Sequence, residues 1–414
     1  MQLLYSIGIY SYHFLIWLVS FFNEKAKLWI NGRKAIFQRL EEAIDGNERL
    51  LWIHCASLGE FEQGRPIIEK LKAEQPDLKI LLTFFSPSGY EIRKNYEQAD
   101  YVFYLPADTR KNAHRFLEIV QPNFAIFVKY EFWYHYLHEL QKRQIPSYLI
   151  SAIFHPKQPF FSSFYGKFFQ SILHCFQFVF VQNESSAQLL QQIGIQHSEA
   201  VGDTRIDRVL QIAKTNHSFP KIEQFKGDAP LLICGSTWPP DEAILCPYIN
   251  QDQSNWKYIF APHDISESHI QQLEAQLQVP HQRYSQFQAD AFTKVLIIDN
   301  IGLLSQLYQY GKVAYIGGGF GVSIHNTLEP AAFGLPVLFG PKYEKFEEAV
   351  QLVKQKGAFV ANSFIDFEQY FQNLKEEDAY GSASEQVKIY LSVNEGATEK
   401  ILEHLRTEIS HILK

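Results

Sequence analysis

The sequence predicts an α/β protein of two doubly wound, Rossmann-like domains facing a cleft, behind an N-terminal hydrophobic anchor helix. Three observations carry this prediction. The chain has 414 residues, enough for two or three domains with cores of their own. Short apolar, β-rich runs alternate with amphipathic helical patterns in two successive series, which is the signature of parallel sheets with right-handed crossovers. Ahead of both series, residues 3–22 contain no Asp, Glu, Lys or Arg.

That first run spans roughly 30 Å as a helix, about the thickness of a bilayer core. No basic segment precedes it and no small-residue cleavage site follows, so a cleaved signal peptide fits poorly. Lys25, Lys27, Arg33, Lys34 and Arg39 follow against Glu24, and the positive-inside rule then puts the remainder in the cytoplasm. The competing reading is a helix docked on the first domain or lying in the membrane interface, since Tyr5, Tyr10, Tyr12 and His13 temper its apolarity.

LLWIHC, LKILLTF, YVFYL, NFAIFV and SYLISA read as the buried strands of the first series, and FVFVQ as another. The second series is LLICGS, WKYIFAP, KVLIID, KVAYIGGG and PVLFG, and the last 50 residues are helical in pattern. The expected domains are residues 1–23 as anchor and residues 24–215 and 216–414 as the two Rossmann-like domains, with a hinge within 194–220. In doubly wound sheets, ligands sit beyond the carboxyl ends of the strands, so the chemistry is expected where strands end.

Composition narrows the function. Lys plus Arg is 38 and Asp plus Glu 45, a net charge of −7 that disfavours nucleic acid as a partner. Cys55, Cys175, Cys234 and Cys246 are widely separated, without C-x-x-C pairs, and read as buried thiols of a reducing compartment. His263 and His325 lack neighbours at ligand spacing and no D-x-D triplet occurs, so no metal site is expected.

Several strand ends carry candidate chemistry. In HCASLGEFEQGRP, small residues end a strand and Glu60 stands where a helix begins, placed to act as a general base or merely to stabilise that helix. In LPADTR, Asp108 is expected to cap the next helix. In FVKYEFW, Lys129 and Glu131 form a salt bridge or part of the cleft. In VGDTRID, Arg205 is suited to a carboxylate or phosphate, with an ion pair to Asp203 or Asp207 as the plain alternative. Residues 315–341, YIGGGFGVSIHNTLEPAAFGLPVLFGP, run from a strand into four glycines within five residues and then a helix opening at Asn326. Amides of Gly317, Gly318 and Gly319 are expected to face a phosphate, and Glu329 to bind ribose hydroxyls or to complete a capping box with Asn326. Neither the dinucleotide fingerprint nor the P-loop is present. The stretch holding Phe161, Phe164, Tyr165, Phe168, Ile172 and Phe176 has helical spacing, as core or as a lipid-facing surface.

Taken together, ASLGE with Glu60, SPSG at 86–89, YLPADTR, GDTRID and HNTLEPAAFGLPVLFGP resemble the Kdo (3-deoxy-D-manno-octulosonic acid) transferases of lipopolysaccharide and lipid A assembly, a GT-B glycosyltransferase family, over most of the chain. The resemblance implies inverting transfer of Kdo from CMP-Kdo to a lipid A precursor (lipid IVA) at the cytoplasmic face of the inner membrane, without a metal cofactor. It implies Glu60 as general base and Glu131 and Arg205 as transition-state residues. Donor contacts would fall to Pro262, His263, Ile301, Gly302, Leu303, Asn326, Thr327, Leu328 and Glu329. The chain departs from the family pattern where APRH is common: it has Ala261-Pro262-His263-Asp264, so His263 stands in place of an Arg. At GDTRID, Arg205 replaces a common Lys and keeps the charge. The alternatives are another GT-B enzyme using a UDP-sugar and a non-catalytic, membrane-tethered protein of the same fold.

Overall fold

A computed structural model describes residues 1–46, 48–215 and 217–408. The chain divides into two compact units, Met1–Asp207 with Glu395–Lys414, and Arg208–Asn394. The division falls at residue 207, not 215, and the final segment, expected in the second domain, belongs to the first.

In the first unit, β1 (Leu50–Cys55), β2 (Lys79–Phe84), β3 (Tyr101–Tyr104), β4 (Phe124–Val128), β5 (Ser147–Ala152), β6 (Phe178–Val181) and β7 (Ser198–Ala200) form one parallel sheet in the order β3-β2-β1-β4-β5-β6-β7. β1, β4 and β5 are buried throughout, which is why they read as continuous apolar runs rather than alternating ones. The order reverses between β1 and β4, so the crevice at that switch point opens above the ends of these two strands.

One face of the sheet packs Trp52, Phe116, Phe127 and Tyr136, and the other Phe61, Ile67, Phe124 and Tyr148. The second face also receives Ile401, Leu402 and Leu405 from the Ala397–Glu408 helix. Asp207 secures that helix by accepting the amides of Gly396 and Thr398, both at 2.6 Å. Apolar periodicity predicts this helix but carries no information about which sheet it covers.

The second unit repeats the plan with β8 (Leu231–Thr237), β9 (Lys257–Pro262), β10 (His281–Arg283), β11 (Val295–Ile297), β12 (Val313–Ile316), β13 (Val337–Phe339) and β14 (Ala358–Val360), ordered β10-β11-β9-β8-β12-β13-β14 and parallel throughout. Its core gathers Tyr258, Phe260, Tyr315, Phe367 and Phe371. Every strand named from the sequence is present. The three that were not, β7, β10 and β14, are three-residue edge strands, too short and too exposed to leave an apolar run.

The N-terminal helix, Gln2–Val19, is long and apolar enough to cross a membrane by length and composition. None of its residues is buried. One side nevertheless touches the first unit: the Tyr5 hydroxyl donates to Asp108 (2.6 Å), the Ser6 hydroxyl meets His135 (3.0 Å), and Tyr12 stacks on Phe85. Leu4, Phe14, Leu15, Trp17 and Phe21 are exposed. In the aromatic stretch, Phe160, Ile172 and Phe176 join the core, whereas Phe164 is 94% exposed.

Candidate functional site

Glu60 lies in the first turn of the Leu58–Glu74 helix, directly after β1. The chain passes from strand to helix through Ala56 and Ser57, and Gly64 lets the helix settle against the sheet: a Cβ there would stand 3.1 Å from Val128 and 3.4 Å from the Cys55 sulfur. Ser57 does not cap the helix amides; its hydroxyl instead donates to Glu60 Oε2. Glu60 is half-buried at the N-terminal end of this helix. A carboxylate with one oxygen held and an accessible position has the form of a general base.

Glu131 follows β4 and is buried, with only 5% of its surface exposed. It pairs with His54, not with Lys129: His54 Nε2 lies 2.9 Å from Glu131 Oε2, and the Trp133 indole donates to the same oxygen at 2.6 Å. The other His54 nitrogen sits 2.9 Å from Thr83 Oγ1, which in turn accepts the Trp52 indole at 2.8 Å. The wholly buried chain Trp52–Thr83–His54–Glu131 thus fixes the glutamate from beneath the sheet's carboxyl edge, as buried polar groups require. Lys129 adopts φ +69°, a left-handed backbone that is costly for a side-chain-bearing residue and turns the chain sharply at the strand end.

Arg205 opens the Thr204–Ala213 helix. It pairs with Asp203, donating from Nε at 2.9 Å and Nη2 at 2.5 Å, while Asp207 is committed to the last helix. Burial by itself would raise the Asp203 pKa, but the Arg205 guanidinium, its hydrogen bonds and nearby Lys129 hold it below the usual carboxylate range. Gln63 reaches Asp203 at 3.4 Å and the Thr204 hydroxyl donates to the Gln63 carbonyl at 2.6 Å, so this turn is tied to the helix that carries Glu60. The structure therefore brings the Glu60 helix, Glu131 and Arg205 to one edge of one sheet.

Asp108 does not cap the next helix; Thr109 does, accepting the Asn112 amide at 3.2 Å. Asp108 instead accepts Tyr5 and the amides of His135 and Tyr136, and burial pushes its pKa up to about 6.

In the second unit, the glycine-rich turn after β12 differs from expectation. Gly317, Gly318 and Gly319 are buried. The Gly317 amide donates to Gly235 (2.9 Å) and the Gly318 amide to Asp241 (2.9 Å), so neither is offered to a phosphate. These glycines serve close packing instead: Gly318 has φ +93°, and a Cβ on it would lie 2.5 Å from the Ser323 carbonyl oxygen. The helix expected at Asn326 begins at Leu328 and has only four residues. Asn326 accepts the Leu328 amide at 3.0 Å and donates to Glu329 at 3.1 Å, the local capping arrangement. The Thr327 hydroxyl is buried without a hydrogen-bond partner, an acceptor and donor that a ligand would satisfy. Pro262 ends β9, His263 is exposed beyond it, and Ile301, 86% exposed, precedes Gly302 and Leu303 ahead of the Leu304–Leu307 turn of helix.

Sequence reasoning missed His54, Trp133 and Asp241, whereas the Arg205 ion pair with Asp203 was among its readings. His54 had a signal, since a polar residue inside an apolar parallel strand must find a partner. Asp241 had one too: Pro-Pro-Asp-Glu after a strand opens a helix, and Asp241 accepts the Trp238 amide (3.0 Å) as well as Tyr315 (3.0 Å). All four cysteines are free and buried. Among the described residues no group of three His, Cys, Asp or Glu gathers as a metal site.

Two seven-stranded parallel sheets in series, each with its polar side chains at the carboxyl edge, define the GT-B class. The UDP-GlcNAc 2-epimerase from Neisseria meningitidis shares this fold, with a TM-score of 0.59 at 15% identity over 87% of this chain and all of that one. A family model described as 3-deoxy-D-manno-octulosonic-acid transferase matches residues 32–208. The 3-deoxy-D-manno-octulosonic acid transferase of Aquifex aeolicus is 27% identical over 328 residues, 77% of this chain and 83% of that protein. That of Haemophilus influenzae is 26% identical over 378 residues, 86% of each. Over residues 32–208 and along most of its length, the chain is thus similar to glycosyltransferases named as Kdo transferases.

Proposed function

We propose that the protein is an inverting glycosyltransferase that moves Kdo from CMP-Kdo to a lipid A precursor, lipid IVA, in lipopolysaccharide biosynthesis. The observation that supports this reading is similarity over most of both chains to proteins named as Kdo transferases. Inverting transfer needs one base to take the acceptor proton while the anomeric carbon gains cation-like charge. Glu60 is that base. The fixed Glu131 carboxylate answers the positive charge, and the Arg205 guanidinium answers the negative charge of the departing CMP. Pro262, His263, Ile301, Gly302, Leu303, Gly319, Asn326, Thr327, Leu328 and Glu329 are the donor contacts of this proposal. Its leaving group carries a single phosphate, which side chains can neutralise without a divalent ion.

The exposed apolar side of the Gln2–Val19 helix, followed by Lys25, Lys27 and Lys34, attaches the protein to the cytoplasmic face of the inner membrane in this reading. The experiment is incubation in detergent with a chelator, CMP-Kdo and a tetraacylated lipid A precursor, with the product read by mass. Gain of one or more Kdo masses is expected. An unchanged acceptor, with donor intact and protein folded, refutes the donor and acceptor assignment.

A further inference from the structure

The carboxyl edge of the second sheet holds three aromatic rings in one arrangement. β8 shifts register between Gly235 and Thr237, with Ser236 at φ +54°, and this bulge redirects the chain so that Trp238 stands over the strand ends. The Trp238 and His263 rings stack at 4.6 Å and 25°, and His263 and His325 stack at 4.6 Å and 27°. Trp238 Nε1 also donates to His325 Nε2 at 3.2 Å. Joined by this hydrogen bond, Trp238 and His325 form a platform on which the His263 ring stacks.

The platform is tied down from below. The Trp238 amide is held by Asp241, the His325 amide donates to Gly317 at 3.1 Å, and the His263 amide to Thr237 at 3.0 Å. The same edge offers an anion little else. Pro239 and Pro240 open the Pro239–Gln251 helix and have no N–H, and the amides of Asp241 and Glu242 donate to the Trp238 carbonyl. The Gly317 and Gly318 amides are spent, and Lys342 Nζ donates to the Gly321 carbonyl at 2.6 Å. His263 is the exposed donor that remains on this platform.

We propose that Trp238 and His325 are positioning residues of the donor site: their hydrogen-bonded pair holds the His263 ring at the sheet edge, where His263, as imidazolium, meets the phosphate of a nucleoside monophosphate leaving group. This deepens the donor reading above and rests on it. Histidine changes charge between about pH 5 and 8, and a cation over an aromatic face is favoured by the ring quadrupole. Burial, with His263 adding to it, pushes the His325 pKa down to about 4, so His325 stays neutral and accepts from the indole. Asp264 follows His263 in the chain, its carboxylate 3.9 Å from His269 Nδ1, while His269 Nε2 is held by Glu242. Trp238 brings no titrating group to the stack.

The test is calorimetric titration of CMP and of cytidine into the full-length protein between pH 6 and 8.5, with melting temperatures recorded for each variant. CMP affinity of the wild type is expected to fall about tenfold over that range, the worth of one charge-assisted hydrogen bond. His263→Ala and Trp238→Leu should bind CMP about tenfold more weakly at pH 6 and lose the pH slope. His263→Arg should keep the pH 6 affinity and flatten the profile. Trp238→Phe, which keeps a ring but removes the N–H that joins it to His325, should lose part of both the affinity and the slope. Cytidine binding should be the same in all of them. Folded Trp238→Leu and His325→Ala proteins with wild-type CMP affinity and slope overturn the inference, as does equal weakening for cytidine, which would put the base on the platform. A wild type that binds no CMP at any pH overturns the donor reading and this inference with it.

Discussion

Replacing Glu60 by Gln isolates proton transfer from shape. The amide is isosteric with the carboxylate, and its carbonyl oxygen can keep the hydrogen bond from the Ser57 hydroxyl, so the helix start need not move. What is lost is the oxygen that takes the acceptor's proton in the proposed mechanism. General-base assistance accounts for roughly 10²- to 10⁴-fold in rate, so kcat of Glu60→Gln is expected to fall by about that factor. CMP affinity should stay within about twofold, because Glu60 is assigned to the acceptor in the proposed mechanism. Ser57→Ala gives the internal comparison: it frees the second oxygen and removes one charge-assisted hydrogen bond at a half-exposed site, for an expected loss of about tenfold or less. The assay is initial rate of Kdo transfer read by mass, with CMP titration and melting temperature alongside. A folded Glu60→Gln protein retaining a third or more of wild-type kcat would refute the assignment of the base.

Asp207→Ala frees the Gly396 and Thr398 amides and should cost about 2 kcal/mol by denaturant titration. Removal of residues 395–414 takes Ile401, Leu402 and Leu405 out of the first core at about 1.5–3 kcal/mol each, and should unfold that unit. Gly318→Ala combines a positive φ with a 2.5 Å approach to a backbone oxygen and should lower stability by about 2 kcal/mol or more, read as a shifted denaturation midpoint. Asp108 has a pKa near 6 in the folded chain against 3.8 unfolded, so its contribution is fully present below about pH 4 and lost as pH rises through 6, a change of about 3 kcal/mol. Asp108→Asn should remove that pH dependence from the melting curve; an unchanged slope would place it elsewhere. Phe14, Trp17 and Phe21 replaced together by Ser should weaken sedimentation with anionic vesicles while the Tyr5–Asp108 contact remains.

The sequence by itself determined the α/β class, the two-sheet plan and eleven of the strands, because a strand buried on both faces must be apolar along its whole length. It also marked Glu60, Glu131, Arg205 and the 315–341 segment, since small residues and charges at strand ends break that apolar run. Only tertiary structure decided the rest. β7, β10 and β14 exist because a neighbouring strand offers hydrogen bonds to their backbones, and three residues of sequence hold no trace of that neighbour. The Ala397–Glu408 helix returns to the first sheet because Asp207 and an uncovered apolar face are there to receive it, and an amphipathic pattern does not name its partner. Glu131 joins His54 rather than Lys129, and Gly318 spends its amide on Asp241, because a buried polar group takes the partner that the fold brings within 3 Å. Periodicity reports which face of an element is buried; what that face meets is set by chain paths tens or hundreds of residues apart.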